Sequence, residues 1–216
     1  MGVCLIFLLL QIRSMQPVEH VSTSVEELYL AANKIGEVEG IQKLCGLQLL
    51  ELGSNRIRKI QNLETLTNLR ELWLGRNKIE SIEGLSTLTS LRRLSVQNNR
   101  LRVISGLDTL THLEELYLSF NGLTKIENLE KLVKLKILDL GNNQIEKVEG
   151  IEHLTQLEDL WLNNNQIKSI DELSCIQSEL SCLYIEANPC CVADGAHQSK
   201  IRDMLPSLTQ LDTTYF

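Results

Sequence analysis

From Asn33 onward an asparagine recurs at every twenty-second residue: Asn33, Asn55, Asn77, Asn99, Asn121, Asn143 and Asn165, then Asn188 one step late. A strict period of this length dictates a stack of small structural units. Each unit is too small to bury its own apolar face and is completed by its neighbours, so stability resides in the interfaces between units. Around each asparagine the frame is L-x-x-L-x-L-x-x-N-x-I/L, as in LQLLELGSNRI from Leu47, LRELWLGRNKI from Leu69 and LKILDLGNNQI from Leu135.

The first half of each unit alternates apolar and polar residues, as in Leu50-Glu51-Leu52 and Leu72-Trp73-Leu74. That is the period of a half-buried strand. The asparagine ends the strand. Its amide both donates and accepts, so it can satisfy backbone groups left unpaired where the chain turns out of the sheet. Aspartate or leucine could not do both. The second half spaces its apolar residues more widely, as at Ile57, Ile60, Leu63 and Leu66, which suits a short helical or 3₁₀ return. Two residues after the second of these comes Gly40, Asn62, Gly84, Gly106, Asn128 or Gly150. Glycine and asparagine tolerate a left-handed backbone, so this column is a turn requirement and not a binding site.

The frame is that of the leucine-rich repeat. The expected fold is an α/β solenoid: a horseshoe with a parallel β-sheet on its concave face and short helical or 3₁₀ segments on its convex face. Residues 25–179 supply seven units, starting at Val25, Leu47, Leu69, Leu91, Leu113, Leu135 and Leu157, and residues 180–216 supply a last strand and a C-terminal cap. No repeat frame fits residues 1–24, which are expected to be a disordered or artefactual leader. The run from Met1 to Leu10 resembles the apolar region of a secretory signal, but no positive charge precedes it, and it is too short to span a bilayer. The preferred reading is an alternative or artefactual start joined to the middle of a longer array. It leaves an unpaired strand edge near Val25–Leu30.

The net charge of −7 argues against nucleic acid or an anionic membrane as the main partner. Fifteen asparagines occur without one N-x-S/T sequon, and the six cysteines show no C-x-x-C pair; both fit the cytosol or nucleus better than secretion. The adjacent Cys190 and Cys191 read as free thiols in a C-terminal loop. The four histidines are scattered, with His112 and His153 in the polar slots of convex segments, where solvated surface is expected. No phosphate loop, nucleophile elbow or metal-spaced cluster is present, so neither catalysis nor a cofactor is expected.

What remains is a surface. Between the two strand leucines the sequence reads, down the stack, Tyr29, Glu51, Trp73, Ser95, Tyr117, Asp139, Trp161 and Tyr184. Five of the six tryptophans and tyrosines in the chain lie in this column. Exposed strand positions favour aromatics through β-propensity, but that preference alone would also place Val, Ile and Thr here, and none appears. Two residues earlier the frame gives Glu27, Leu49, Glu71, Arg93, Glu115, Ile137 and Asp159. Across both columns six acids face one basic residue, Arg93. Rigid amphipathic rings are common anchors of protein interfaces, and flanking carboxylates recruit Arg or Lys from a partner.

The constant repeat length, the I-x-x-I/V-x-G/N-L/I convex segment and the stretches LELGSNRI, TLTNLRELWLG and ELYLSFNG resemble the nuclear leucine-rich-repeat regulatory subunits of protein phosphatase 1. The stretch from Asn188-Pro189 through Ile201-Arg202 to Leu205-Pro206-Ser207-Leu208 and Leu211-Asp212 looks like the cap of that family and of splicing and axonemal relatives. The resemblance runs from about Val25 to the end. It implies a nuclear and cytoplasmic non-catalytic regulator, monomeric apart from its complex. Its concave face would grip the phosphatase catalytic subunit on a helical surface away from the active site, with room for a third regulatory protein. The matching positions are Tyr29, Glu51, Trp73, Asp139, Asp159, Trp161 and Tyr184; Tyr117 joins them from the same column. Trp73 and Tyr29 stand where the family has phenylalanines, and Asp159 where it has glutamate. The alternative is a generic intracellular adaptor of spliceosomal or axonemal type with another ligand in the groove.

Overall fold

The structure is a computed structural model that describes residues 3–8, 10–18, 20–191 and 196–215. Met1, Gly2 and Leu9 of the apolar leader, and residues 192–195 within the cap, lie outside the described residues. The described strands are β1 (Val3–Ile6), β2 (Val25–Tyr29), β3 (Leu49–Glu51), β4 (Glu71–Trp73), β5 (Arg93–Ser95), β6 (Glu115–Tyr117), β7 (Ile137–Asp139), β8 (Asp159–Trp161), β9 (Cys182–Tyr184), β10 (Gln210–Leu211) and β11 (Thr214–Tyr215). They form one sheet in sequence order. Pairing is parallel from β1 to β10, and β11 turns back antiparallel on β10.

This is a leucine-rich-repeat horseshoe with the sheet on its concave face. The middle residue of each short strand points inward, and the leucine or isoleucine rows of successive units merge into a single core. In the unit from Leu47, the side chains of Leu50, Leu52, Ile57, Ile60, Leu63 and Leu66 are at most 1% exposed. The convex returns are chains of single tight turns. Leu66 N–H donates to the Leu63 carbonyl and Leu69 N–H to Leu66, each at 2.9 Å. Among the described residues only Gln16–Val18 and Ile170–Cys175 close a 3₁₀ helix, and the cap adds one α-helix, α1 (Ala196–Met204). The apolar spacing of three produces these i to i+3 bonds without propagating them, because each return must stay extended enough to reach the next strand.

The asparagine ladder follows from donor–acceptor chemistry. Asn55 Oδ1 accepts from Ile35 N–H at 3.0 Å, while its Nδ2 donates to the carbonyls of Leu30 in the preceding unit (3.0 Å) and Leu52 in its own (2.9 Å). The pattern repeats at each of the others, through Asn188. At the cap Asp212 takes over the acceptor half alone, receiving Ile185 N–H at 2.7 Å and Glu186 N–H at 2.9 Å. The glycine and asparagine turn column is left-handed throughout, from φ 60° at Asn128 to φ 72° at Gly40 and Gly150. At Gly106 a Cβ would lie 2.3 Å from the Ile82 carbonyl oxygen, so the neighbouring unit also demands the missing side chain.

The leader departs from expectation. Cys4, Leu5 and Ile6 pair with Glu27, Leu28 and Tyr29, an offset of 23 residues, so the edge expected open at Val25–Leu30 is covered. Asn33 reaches back into the leader as the other ladder asparagines reach into preceding units, donating to the Phe7 carbonyl and accepting from Ile12 N–H. Met15 and Val18 are fully buried in the convex positions of Val38 and Ile41. The described residues between Val3 and Ser24 therefore form a degenerate repeat. Counting back by the same offset puts Leu10 where the ladder asparagine would stand, which hides the unit from a search for the frame.

Candidate functional site

Strand register fixes the concave surface. Tyr29, Glu51, Trp73, Ser95, Tyr117, Asp139, Trp161 and Tyr184 stand opposite one another across eight consecutive strands, and Glu27, Leu49, Glu71, Arg93, Glu115, Ile137, Asp159 and Cys182 form the parallel row. All eight candidate residues thus share one face. They are not equally available on it.

The rings join into a ladder. Trp73 and Tyr117 stack at 6.1 Å between centroids with a 24° interplanar angle, although β5 lies between their strands. Tyr117 meets Trp161 at 6.4 Å across β7, and Trp161 meets Tyr184 edge-on at 5.9 Å. The residues spanned by the first two contacts, Ser95 and Asp139, are only 2% and 5% exposed. Small or short side chains at alternate strands let large rings touch over them, at offset-stacked and tilted geometries that aromatic quadrupoles favour. Tyr29 is set apart by Glu51 and hydrogen-bonds Glu27 instead.

A second network orients the rings. Trp73 Nε1 donates to Glu71 at 3.2 Å and the Tyr117 hydroxyl to Glu115 at 2.9 Å. Arg93 bridges those two carboxylates, at 3.0 Å to Glu71 and 2.8 Å to Glu115. The lone cation of the acidic columns is therefore a clasp, and its guanidinium is held above its usual range chiefly by Glu115. Burial, then Glu115, pushes the Tyr117 hydroxyl well above the ordinary tyrosine value. At the far end Gln210 of β10 donates to the Tyr184 hydroxyl at 2.5 Å, a contact the repeat frame does not reveal because it comes from the cap.

The carboxylates fall into two groups. Glu51 and Asp139 fold down onto the glycine two residues on, accepting Gly53 N–H at 2.6 Å and Gly141 N–H at 3.1 Å. Asp139 also accepts the Ser119 hydroxyl at 2.5 Å. Asp139 is thus corrected from an exposed contact to a buried support beneath Tyr117 and Trp161. Asp159, one methylene shorter than Glu71 in the equivalent place, has no hydrogen-bond partner among the described residues. Among the described residues the buried indole N–H of Trp161 finds no oxygen or nitrogen acceptor, only the weak sulfur of Cys182 beside it, where that of Trp73 has Glu71. A donor and a carboxylate unsatisfied within the same strand are the chemistry a partner can complete.

Burial raises the carboxyl groups of Glu51, Asp139 and Asp159 above their ordinary values, against the opposing hydrogen bonds at Glu51 and Asp139. For a carboxyl raised on folding, the native state binds its proton more tightly than the unfolded state does. Its contribution to stability is therefore full below the unfolded value and is lost as pH rises through the folded one. Asp139→Asn keeps the shape and an acceptor for Gly141 without the charge. Its melting temperature is expected to exceed wild type at pH 7, with the gap closing toward pH 3, as read by circular dichroism melts across that range. A gap that widens toward acid would overturn the assignment of Asp139 as a charge held against its burial.

Elsewhere the surface is chemically quiet. His153 is half-buried and contacts the Leu129 carbonyl at 2.9 Å, a convex tie where solvated surface was expected. The Cys190 and Cys191 sulfurs lie 3.8 Å apart as free thiols. No cluster able to hold a metal, and no helix long and apolar enough to cross a membrane, occurs among the described residues.

Comparison with known proteins agrees with this architecture. A family model described as Leucine Rich repeats (2 copies) matches residues 45–87, 89–131, 111–153 and 133–175. Among solved structures, internalin C2 from Listeria monocytogenes is 26% identical with a TM-score of 0.76, over 88% of this chain and 81% of that one. A leucine-rich-repeat protein from Leptospira interrogans is 26% identical with a TM-score of 0.74, over 87% of this chain. The match spans only 55% of the Leptospira protein's length. No curated protein matches the chain.

Proposed function

Because this chain belongs to the leucine-rich-repeat family, whose members are typically non-catalytic interaction modules, we propose that it is a regulatory scaffold that binds the catalytic subunit of protein phosphatase 1 through its concave face. The observation that carries the reading is the aromatic ladder from Trp73 through Tyr117 and Trp161 to Tyr184, bracketed by Glu71, Glu115 and Asp159. Rings locked by neighbours lose little freedom on binding, and carboxylates beside them favour a basic helical surface. The seven positions that resemble the phosphatase regulators lie on this face, with Asp139 acting from beneath. The scaffold has no catalytic role of its own, acts in nucleus and cytoplasm, and leaves room for a third regulatory protein.

The test is capture from cell lysate on the immobilised chain, read by mass spectrometry, followed by direct binding of purified phosphatase 1 catalytic subunit. Enrichment of that subunit and saturable direct binding are the expected results. A folded chain that retains no phosphatase in either assay defeats the reading. Recovery of a ribonucleoprotein or dynein component in its place would favour the adaptor alternative.

A further inference from the structure

The loops that leave the carboxyl ends of β3, β4 and β5 carry charge opposite to that of the chain. Residues 53–58, 75–80 and 97–102 hold Arg56, Arg58, Arg76, Lys78, Arg100 and Arg102 against one acid, Glu80, in a chain of net charge −7. All but half-buried Lys78 are exposed. Among the described residues only Arg100 has an ion-pair partner, Glu80 at 3.7 Å. The fold sets their register. Arg56, Lys78 and Arg100 donate their backbone N–H groups in turn to the carbonyls of Ile35, Ile57 and Ile79, at 2.9, 2.8 and 2.8 Å. They therefore stack one repeat apart, about 4.8 Å. Cations held this close by the backbone, and mostly unneutralised, create a fixed positive potential on one rim.

A second feature adjoins them. The residue before each ladder asparagine is left-handed, and this column reads Ala32, Ser54, Arg76, Asn98, Phe120, Asn142, Asn164 and Ala187. Phe120 sits there at φ 54° with 55% of its surface exposed. A bulky ring suits that backbone poorly, and its exposure recovers none of the cost by burial. Beside it, an open groove of about 1090 Å³ is lined by Asn99, Arg100, Arg102, Asn121 and Gly122, among others.

We propose that this rim is a second docking surface, distinct from the concave ladder, and that it takes an acidic segment of a protein partner bearing one apolar side chain. Carboxylates of the segment meet the guanidinium forks, which suit them bidentately, and the apolar residue covers Phe120. Nucleic acid is the poorer fit. The stacked cations cover three repeats, roughly 10 Å, and beyond them a chain of net charge −7 repels further phosphates. A short acidic peptide ends within the patch.

The test is fluorescence anisotropy of a fluorescein-labelled ten-residue peptide of glutamate and aspartate with one central leucine, titrated with the full chain. Saturable, salt-sensitive binding is expected. The combined Arg56→Gln, Arg76→Gln and Arg100→Gln variant should weaken it roughly tenfold, since each substitution removes a charge-assisted bond. Phe120→Asn should weaken it about threefold, the scale of a modest apolar contact. Trp161→Ala should leave it unchanged. Arg58→Gln with Arg102→Gln is the second rim variant, should the first not fold. The proposal is overturned by no saturable binding, by indifference to a folded rim variant, by loss in Trp161→Ala, or by tighter binding of a single-stranded oligonucleotide of equal charge.

Discussion

Asn143→Leu is expected to lower the melting temperature by about 6–12 °C, the consequence of losing roughly 3 kcal/mol or more in a chain of this size. Asn143 is 7% exposed. Its Oδ1 receives Leu123 N–H at 3.1 Å, and its Nδ2 serves the carbonyls of Leu118 at 3.1 Å and Leu140 at 3.0 Å. Leucine fills the volume and serves none of these three groups. The buried Leu123 N–H is left with no acceptor, at about 1–3 kcal/mol, while the carbonyls of Leu118 and Leu140 keep Asn121 and Asn165 but each lose one bond, at about 0.5–1.5 kcal/mol. Two of the three belong to the preceding unit. The damage therefore falls on an interface between repeats, where solenoid stability resides. Urea denaturation should become broader or split, with amide exchange fastest around β6 and β7. Asn143→Asp should also destabilise, because a carboxylate keeps the bond to Leu123 and sets an oxygen against two carbonyls. Asp212 tolerates that limitation only at the cap, where its Oδ1 acts as an acceptor alone. A melting temperature for Asn143→Leu within about 2 °C of wild type would sink this account of the ladder.

The asparagine column and the glycine–asparagine turn column were legible because each performs a task few side chains can do, so each recurs in the sequence. The column before the asparagine was not. Its left-handed backbone is imposed by the ladder bonds, such as Ser54 N–H to the Gly75 carbonyl at 2.8 Å, and the side chains there vary from alanine to phenylalanine. The leader was missed for a related reason: its spacing is 23, and Leu10 stands at the diagnostic place, while buried Met15 and Val18 keep only the apolar spacing. At the candidate site, alternation correctly gathered Tyr29, Glu51, Trp73, Tyr117, Asp139, Asp159, Trp161 and Tyr184 on one face. Alternation says which face a side chain leaves from but not how far it leans. Contacts between strands decide the rest: Tyr117 on Trp161, skipping a strand, covers Asp139, and Arg93 clasps Glu71 to Glu115.

Trp161→Ala is expected to weaken binding of purified phosphatase 1 catalytic subunit by about 2–4 kcal/mol, roughly 30- to 1000-fold, the range of a central aromatic anchor. Trp161 touches both Tyr117 and Tyr184, so removing it cuts the ladder and frees both rings. Among the described residues its buried indole N–H faces only the weak sulfur acceptor of Cys182, and the neighbouring Asp159 carboxylate has no hydrogen-bond partner. The fold itself should lose less, because only ring contacts worth about 0.5–1.5 kcal/mol each are removed from a half-exposed position. Trp161→Phe separates the two contributions. It keeps a ring against Tyr117 and Tyr184 and deletes only the donor, so an intermediate loss assigns part of the affinity to a hydrogen bond made in the complex. Trp73→Phe is the control: its N–H already serves Glu71 at 3.2 Å within the free chain, so its loss should cost binding less. Calorimetric titration of the folded variants decides the matter. Trp161→Ala binding within about threefold of wild type would remove this residue from the centre of the interface.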